Sequence, residues 1–162
     1  MGLPALKNPK GNYSFVTRWS FKEPLEQVWG ALYDSDRWPT WWRGVEQVEK
    51  LGSADAPNEV GSVRRFTWKS RLPYRLTFDM TVTRVEPMSL IESTAEGELE
   101  GEGRWSFSSD AGNTLVRYDW SVCTTKAWMN VIAPVARPVF QWNHDVIMEW
   151  GREGLIRLLG QP

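Results

Sequence analysis

The stretch PVFQWNHDVIMEWGREGLIRLL, residues 138–159, has the apolar spacing of one long amphipathic helix. At about 100° per residue, charged side chains such as Glu149 and Arg152 fall opposite an apolar face. That face consists of Val139, Phe140, Val146, Ile147, Trp150 and Leu158. Because Pro134 and Pro138 interrupt the pattern upstream, we predict a long C-terminal helix over 138–159 and only one or two helical turns over 128–134.

The chain before this helix has the alternating pattern of β-strands. The clearest example is Tyr74–Val85, where Leu76, Phe78 and Met80 alternate with polar residues, as in a strand with one buried face. Because the strands follow one another through short turns, they form an antiparallel sheet. The predicted strands are 13–21, 45–51, 63–69, 74–85, 90–99, 103–108 and 114–123.

Two short helical segments follow the first strand. Pro24 suits a first helical turn, and apolar residues recur at helical spacing from Leu25 to Leu32. Residues 36–42 predict a second short helix or a structured turn. We therefore predict an α+β fold in which a curved antiparallel sheet wraps around a long C-terminal helix, with two short helices after the first strand.

The chain has 162 residues and a mass of 18.7 kDa, about the size of one domain. We expect an irregular N-terminal arm over 1–12 and a single domain over 13–162. One Cys and one His leave no cluster of thiolates or imidazoles for a zinc site. The motifs of NTPases, dinucleotide-binding enzymes and serine hydrolases are also missing, so we expect no metal and no cofactor.

The charge balance argues against two classes of partner. A formal net charge of −1 gives no overall attraction to phosphate backbones, so we expect no nucleic-acid partner. No uncharged apolar run reaches the length of a membrane span, and no apolar leader opens the sequence. We therefore expect a cytoplasmic chain without stable membrane insertion. The oligomeric state is left open.

Tryptophan is far more frequent than in an ordinary domain. There are 11 Trp residues, and aromatic residues make up 13% of the chain. Such large flat side chains can fill a solid core, or they can form the wall of an apolar cavity that offers a few indole N–H groups inward. Composition alone leaves both interpretations open.

The sequence resembles the START-like, or SRPBCC, superfamily, in particular its bacterial polyketide cyclase/dehydrase-like branch. The segments that carry the resemblance are PLEQVWGAL (24–32), DRWPTWWRGV (36–45), GEGRWSF (101–107) and NHDVIMEWGREGLIRLL (143–159). The resemblance implies the helix-grip fold. It also implies that a hydrophobic ligand, such as a lipid, a sterol or a polyketide, is held between the sheet and the long helix.

Strand parity and the apolar helix face predict which side chains surround such a ligand. From the strands these are Phe66, Trp68, Tyr74, Leu76, Phe78, Met80, Trp105 and Trp120, and from the helix Phe140, Asn143 and Ile147. Tyr118 shares the strand face, and its hydroxyl is a candidate donor to a ligand carbonyl or phenol.

Asn143 and His144 are the polar residues on or beside the buried helix face. A buried amide needs a partner, which is either the backbone of a neighbouring strand or a ligand. His144 is either a structural histidine or, with a pKa near 6.5 when unperturbed, a proton-transfer residue. We count Asn143 as a ligand-binding candidate, and His144 and Tyr118 as catalytic candidates.

Arg64 lies at an alternate position with Phe66 and Trp68, on the same face of the predicted strand. Its guanidinium can therefore point inward and hold a ligand carboxylate or carbonyl. The alternative is that it lies at a strand end in solvent. Trp41 and Trp42, together with Trp38, either gate the cavity or plug the end of the core. Trp41 and Trp42 complete the set of ligand-binding candidates.

Two further features of the sequence each allow two structural interpretations. Gly151 and Gly154 fall on the inner helix face, where they leave space either for a ligand or for an aromatic side chain such as Trp105. The apolar segment 127–140 is either a lid or a cover over the sheet edge.

Three functions are compatible with these features. The first is a module that binds a hydrophobic small molecule, lipid-like or aromatic, between the sheet and the long helix. The second is a polyketide cyclase or dehydratase that uses the same cavity, with His144 or Tyr118 assisting enolisation. The third is an interaction module that docks a partner protein on an exposed Trp38–Trp42 cluster.

Overall fold

The computed structural model describes residues 12–52 and 58–160 of the chain. The predicted arm over 1–12 lies outside these residues except for Asn12, where the first strand begins. The strands are β1 Asn12–Phe21, β2 Val45–Gly52, β3 Val63–Lys69, β4 Arg75–Glu86, β5 Leu90–Gly97, β6 Leu99–Asp110 and β7 Asn113–Thr124. The helices are α1 Leu25–Tyr33, α2 Trp38–Trp41 and α3 Ala127–Leu159, and a single 3₁₀ turn over Ser35–Arg37 joins α1 to α2.

The seven strands form one antiparallel sheet in the order β1-β7-β6-β5-β4-β3-β2. Strands β2 to β7 are joined as successive hairpins, and β1 pairs with β7, so that β1 and β2 are the two edges. The registers place Phe66 opposite Phe78 and Trp105 opposite Tyr118, which stacks aromatic side chains on one face. The predicted α+β helix-grip fold, with a curved sheet around a long C-terminal helix, is confirmed.

The turn between β5 and β6 differs from the prediction. It follows Gly97, whose φ is 121°, a conformation that favours glycine. As a result Leu99, which we expected to end one strand, begins the next. Alternation alone did not reveal this boundary, because the apolar pattern continues across the turn.

Helix α3 begins eleven residues earlier than predicted, at Ala127, and continues through Pro134 and Pro138 for 33 residues. Both prolines lie on the exposed side, where water can satisfy the carbonyls that lose an N–H donor. Contacts hold the first turns in place: Met129 is 3% exposed, Lys126 Nζ lies 2.7 Å from Glu98 Oε1, and Thr124 donates to Asn130. Val139, which we placed on the buried face, is 45% exposed.

The Trp38–Trp42 cluster is buried, which contradicts the prediction of an exposed docking patch. Trp38, Trp41 and Trp42 are 7%, 9% and 1% exposed. The indole of Trp42 donates to the Ile147 carbonyl of α3 at 2.9 Å, which fixes α2 against the helix. The cluster therefore closes one end of the core.

The two helix glycines permit this close contact. A Cβ at Gly151 would lie 2.4 Å from Trp42 Cε2, and one at Gly154 would lie 2.0 Å from the Trp41 carbonyl oxygen. Of the two alternatives, close aromatic packing is therefore correct, although the partner of Gly151 is Trp42 and not Trp105.

The buried apolar side chains form two clusters, one at each end of the sheet's inner face. One contains Trp19, Trp42 and Trp105, and the other contains Tyr13 and Phe78. Both contact the partly buried side chains Trp68, Met80 and Tyr118. Across the described part of the chain, no helix is both long and apolar enough to cross a membrane.

Candidate functional site

A cavity of about 190 Å³ lies between the inner face of the sheet and helix α3. It is larger than the roughly 150 Å³ apolar cavity that is known to remain dry and to bind benzene. Most of its wall is apolar, and strands β1 and β3 to β7 all contribute side chains to it. The interior is therefore not packed solid, and it has room for a small guest molecule.

The structure brings 15 of the 16 predicted site residues together on the wall of this cavity. They are Arg64, Phe66, Trp68, Tyr74, Leu76, Phe78, Met80, Trp105, Tyr118 and Trp120 from the sheet side, Trp42 after α2, and Phe140, Asn143, His144 and Ile147 from α3. The exception is Trp41, which does not line the cavity. Its ring stacks on Trp42 with centroids 5.5 Å apart, and its backbone packs against Gly154.

Sequence reasoning missed several cavity residues, chiefly Tyr13 and Phe15 of β1, and Met129 and Met148 of α3. Tyr13 and Phe15 had a usable signal, since they alternate on the predicted first strand. Alternation identifies a buried face, but it does not tell solid core from cavity wall. Met129 lies in the helical turns that were predicted to end at Pro134.

His144 lies in the wall as a neutral imidazole. Its ring stacks on Phe15 with centroids 4.1 Å apart and planes inclined by 10°. Neither ring nitrogen has a hydrogen-bond partner among the described residues. Burial lowers the pKa of His144 to about 4, against a smaller opposing effect of Asp145, whose Oδ1 lies 3.8 Å from Nδ1. The side chain is therefore uncharged at pH 7.

Four uncharged wall residues besides His144 also present polar atoms that are buried without a partner in the described part of the chain. These atoms are Trp38 Nε1, Trp68 Nε1, Tyr13 Oη and Asn143 Oδ1. Leaving such a group unsatisfied costs about 1–3 kcal/mol, so their grouping around one cavity indicates a site that a polar guest or water completes.

Tyr118 is held in the middle of the wall. Its ring stacks between Trp105, with centroids 4.1 Å apart, and Trp120, with centroids 5.8 Å apart. Its hydroxyl packs over Gly103 of the neighbouring strand, where a Cβ would lie 2.6 Å from Oη. Burial raises the pKa of Tyr118, so the phenol stays protonated and is suited to donating a hydrogen bond.

Arg64 reaches the cavity wall, but its charge is already paired. Its Nε lies 2.6 Å from Asp36 Oδ1 and its Nη2 lies 3.2 Å from Asp36 Oδ2, which is a bidentate contact. Glu59 Oε2 lies 3.5 Å from Nη2, and Ser62 Oγ accepts from Nη1 at 3.0 Å. The Arg64 hydrogen bond lowers the pKa of Asp36. Two carboxylates therefore surround one guanidinium at this end of the cavity.

The acidic and sulfur-containing side chains do not assemble a metal centre in the described ranges 12–52 and 58–160. No group of three His, Cys, Asp or Glu residues there is arranged to hold a metal ion.

Comparison with known proteins gives one family match. The family model for polyketide cyclase / dehydrase and lipid transport matches residues 21–148. No curated protein matches the chain in sequence.

Several solved structures have the same fold at low sequence identity. An aromatase/cyclase from a Streptomyces species matches with a TM-score of 0.73 at 15% identity, covering 92% of this chain and 94% of that one. A START superfamily protein from Mycobacterium smegmatis matches with a TM-score of 0.73 at 14% identity, covering 91% and 97%.

The chain spans about half the length of the di-domain ARO/CYC protein BexL, covering 52% of it with a TM-score of 0.68 at 16% identity. That match covers 93% of this chain. At such identities the structural matches show the fold alone.

Proposed function

The chain belongs to the polyketide cyclase / dehydrase and lipid transport family, and we propose that it binds an uncharged hydrophobic small molecule in the cavity beneath α3. The observation that carries this proposal is the set of buried polar atoms without partners that surround the cavity. Family membership supports a hydrophobic ligand, and the polar atoms narrow its chemistry.

The apolar wall supplies the affinity. Phe66, Phe78, Trp105 and Trp120 present ring surfaces, and Met80 adds a side chain that adapts to irregular shapes. A ligand gains about 25 cal/mol for each Å² of apolar surface that it buries. A ligand of one or two rings suits both the volume of the cavity and the flat faces of its wall.

The polar atoms select functional groups on that ligand. The indole N–H groups of Trp38 and Trp68 can only donate, so they match a carbonyl or ether oxygen. Asn143 Oδ1 can only accept, so it matches a hydroxyl or an N–H group. Tyr13 and neutral His144 can do either. The complementary ligand therefore carries at least one acceptor and one donor on an apolar body.

The charges near the cavity disfavour a carboxylate ligand. Among the described residues that line the wall, Arg64 alone carries a guanidinium, and Asp36 and Glu59 engage it. His144 is neutral at pH 7 because its pKa is about 4. A free fatty acid would therefore enter with its charge unpaired, at a high cost in desolvation.

The test is to purify the protein and record native mass spectra before and after solvent extraction. We expect a co-purifying neutral compound, or binding of 2-naphthol in calorimetry when the cavity is empty. Met80→Trp fills the region where the two clusters meet and should abolish binding. Leu115→Trp, at a residue 37% exposed on β7, is the matched control and should leave binding unchanged. Equal binding by both variants would refute the cavity as the site.

A second candidate function is cyclisation of a poly-β-keto chain, favoured by the presence of both Tyr118 and His144 on the wall. In such a reaction a base removes the proton between two carbonyls, the enolate carbon attacks another carbonyl, and the new alcohol leaves as water. Tyr118 would donate to the developing enolate oxygen. His144, with a pKa of about 4, would accept the proton only weakly at pH 7.

The two functions are separated by the fate of the ligand. Incubation with a poly-β-ketone surrogate yields a product smaller by one water if the protein is a cyclase, and recovers the surrogate unchanged if it only binds. His144→Ala and Tyr118→Phe should remove turnover while retaining part of the binding. Turnover that survives both changes would exclude these two residues from the chemistry.

We also propose that the chain acts in the cytoplasm as a single ligand-binding domain over 13–162, without a cofactor, a nucleic-acid partner or stable membrane insertion. The net charge of −1 supports the statement on nucleic acids. Cell fractionation and a filter-binding assay with DNA and RNA test these points.

A further inference from the structure

The first half of α3 presents an apolar stripe to solvent. The large apolar residues that are exposed in this stripe are Trp128 (47%), Val131 (79%), Ile132 (41%), Val135 (85%), Val139 (45%) and Trp142 (47%). We call these six residues the Trp128–Trp142 stripe. They are six of the eleven exposed large hydrophobic residues in the described part of the chain, and Val131 and Val135 are the two most exposed.

The opposite side of the same helix half already has its partner. Met129 is 3% exposed, and Met129 and Phe140 line the cavity. Segment 127–140 was expected to be either a lid or a cover over the sheet edge; its inner side lines the cavity, and the stripe is not part of that side. It is a second apolar face on the outer side of the helix, and at its first position the Trp128 ring also packs edge-on against Tyr74, with centroids 5.5 Å apart. A contiguous apolar patch of several hundred Å² on one chain usually marks an interaction surface.

Except at Ile132, whose counterpart three residues after Val135 is Pro138, the spacing of the stripe is symmetric about Val135. Trp128 lies seven residues before it and Trp142 seven residues after it. The pair Val131 and Ile132 lies four and three residues before, and Val139 lies four residues after. At 1.5 Å per residue, the stripe extends about 21 Å along the helix. In a two-fold dimer residue i of one copy contacts residue j of the other and j contacts i, so this spacing allows the stripe to pack antiparallel against a second copy, with the two Trp positions in contact.

From this symmetry we propose that the stripe is the contact surface of a homodimer, in which two copies of α3 pack antiparallel about a two-fold axis at Val135. Trp128 then lies against Trp142 of the partner subunit, and the two Val135 side chains meet at the axis. The seven-residue interval from Trp128 to Val135 and on to Trp142 keeps one face in contact along the pair.

The size and charge of the surface favour a second copy. Two patches of several hundred Å² together bury on the order of 1,000 Å², which is the lower limit for a specific interface. The stripe itself carries no charged side chain, so two copies meet without repulsion.

A lipid surface is the other occupant that an apolar helix face suggests, and the charges argue against it. Surface-lying helices have a polar face rich in Lys and Arg that anionic lipids attract. Here Lys126 is paired with Glu98 at 2.7 Å, and Arg137 donates to the Asn12 carbonyl at 2.7 Å and lies over the Tyr13 ring. The proposal does not depend on the ligand-binding function.

Sedimentation velocity of the full chain between 1 and 200 µM tests the proposal. We expect a dimer that dissociates in the Val135→Lys variant, with the dissociation constant raised at least tenfold. Val16→Lys is the matched control, because Val16 is an exposed valine on β1, 47% exposed, and it should leave the dimer intact. A wild-type monomer across the whole range would overturn the proposal, as would equal loss of the dimer in both variants.

Cysteine cross-linking in a Cys123→Ser background tests the orientation. Val135→Cys should form a covalent dimer on oxidation, and a mixture of Trp128→Cys and Trp142→Cys chains should form the mixed dimer. Trp128→Cys alone should not cross-link, because in an antiparallel pair its two copies lie at opposite ends. Self-linkage of Trp128→Cys would contradict the antiparallel pair. Sedimentation of the wild-type chain with phosphatidylcholine vesicles, lost in Val135→Lys, would assign the stripe to lipid instead.

Discussion

The imidazole of His144 lies flat on the ring of Phe15, with ring centroids 4.1 Å apart and planes inclined by 10°. This contact joins helix α3 to the edge strand β1, and it removes the histidine from water. As a result the pKa of His144 falls to about 4, and both ring nitrogens are left without partners among the described residues. The stacked pair therefore attaches α3 to β1 and also leaves an uncharged imidazole on the cavity wall.

The first prediction concerns pH. In the unfolded chain the pKa of histidine is about 6.5, so between pH 6.5 and 4 the unfolded state binds a proton that the folded state does not. Stability should therefore fall as the pH decreases through this window, by about 3 kcal/mol in total from this one group. Above pH 6.5 His144 is neutral in both the folded and the unfolded state, so it does not contribute to the pH dependence of stability.

Chemical denaturation of the wild type and of His144→Phe at pH 7 and pH 4.5 measures this effect. The phenylalanine variant keeps the ring stack and should lose less stability over the same interval. Carboxylates with lowered pKa values, such as Asp36 and Glu149, contribute equally to both proteins. Identical losses in the two proteins would contradict the assignment of the shift to His144.

The second prediction concerns the contact between α2 and α3. Gly151→Ala places a methyl group 2.4 Å from Trp42 Cε2, and Trp42 is 1% exposed and cannot move outward. We expect a loss of about 1–3 kcal/mol in the free energy of unfolding. Gly30→Ala is the matched control in α1, because its new Cβ meets no atom within 4 Å. That change should stabilise the protein by up to about 1 kcal/mol, and similar effects of both changes would contradict the packing described.

The third prediction concerns the charge of the ligand. Asp36→Asn combined with Glu59→Gln should free the Arg64 guanidinium that these carboxylates now engage. Binding of 2-naphthoate, measured by calorimetry, should then strengthen about tenfold, which is roughly 1.4 kcal/mol. Binding of neutral 2-naphthol should stay within a factor of two. A carboxylate that already binds the wild type as tightly as the naphthol would contradict the proposed preference.

The fourth prediction separates stability from binding at Asn143. Asn143→Leu removes a buried oxygen that has no partner in the described structure, so the ligand-free protein should gain about 1 kcal/mol or more in stability. The same change should weaken the binding of 2-naphthol several-fold more than the binding of naphthalene, because only the naphthol offers a hydroxyl to the amide oxygen. Thermal unfolding measures the change in stability, and calorimetry measures the two binding affinities. A destabilised variant with unchanged preference would indicate a structural role for this amide.

Much of the fold could be predicted from the sequence, because it depends on periodicity. Alternation in Tyr74–Val85 and helical spacing from Phe140 to Leu158 are local signals that tertiary contacts reinforce. The start of α3 could not be predicted this way, since proline removes a hydrogen bond locally while packing at Met129 and Lys126 restores the helix. Such compensation is visible only in three dimensions.

Alternation along the strands predicted most of the residues in the cavity wall, but it did not predict their contacts with other elements. Parity placed Phe66, Trp68 and Tyr118 inward, yet it could not show that Asp36, from a distant turn, neutralises Arg64. It also could not distinguish Trp41, which packs on α3, from Trp42, which reaches the cavity. These outcomes depend on which elements meet at the end of the sheet.

The most direct measurement of the central claim is an NMR titration of the indole N–H signals with 2-naphthol. We expect the signals of Trp38 and Trp68 to shift, because their Nε1 groups are free on the cavity wall. The signal of Trp150 is the internal reference, since its side chain is buried and does not line the cavity. Shifts confined to Trp128 and Trp142 of the outer stripe, or no shifts at saturating ligand, would contradict a ligand held between the sheet and α3.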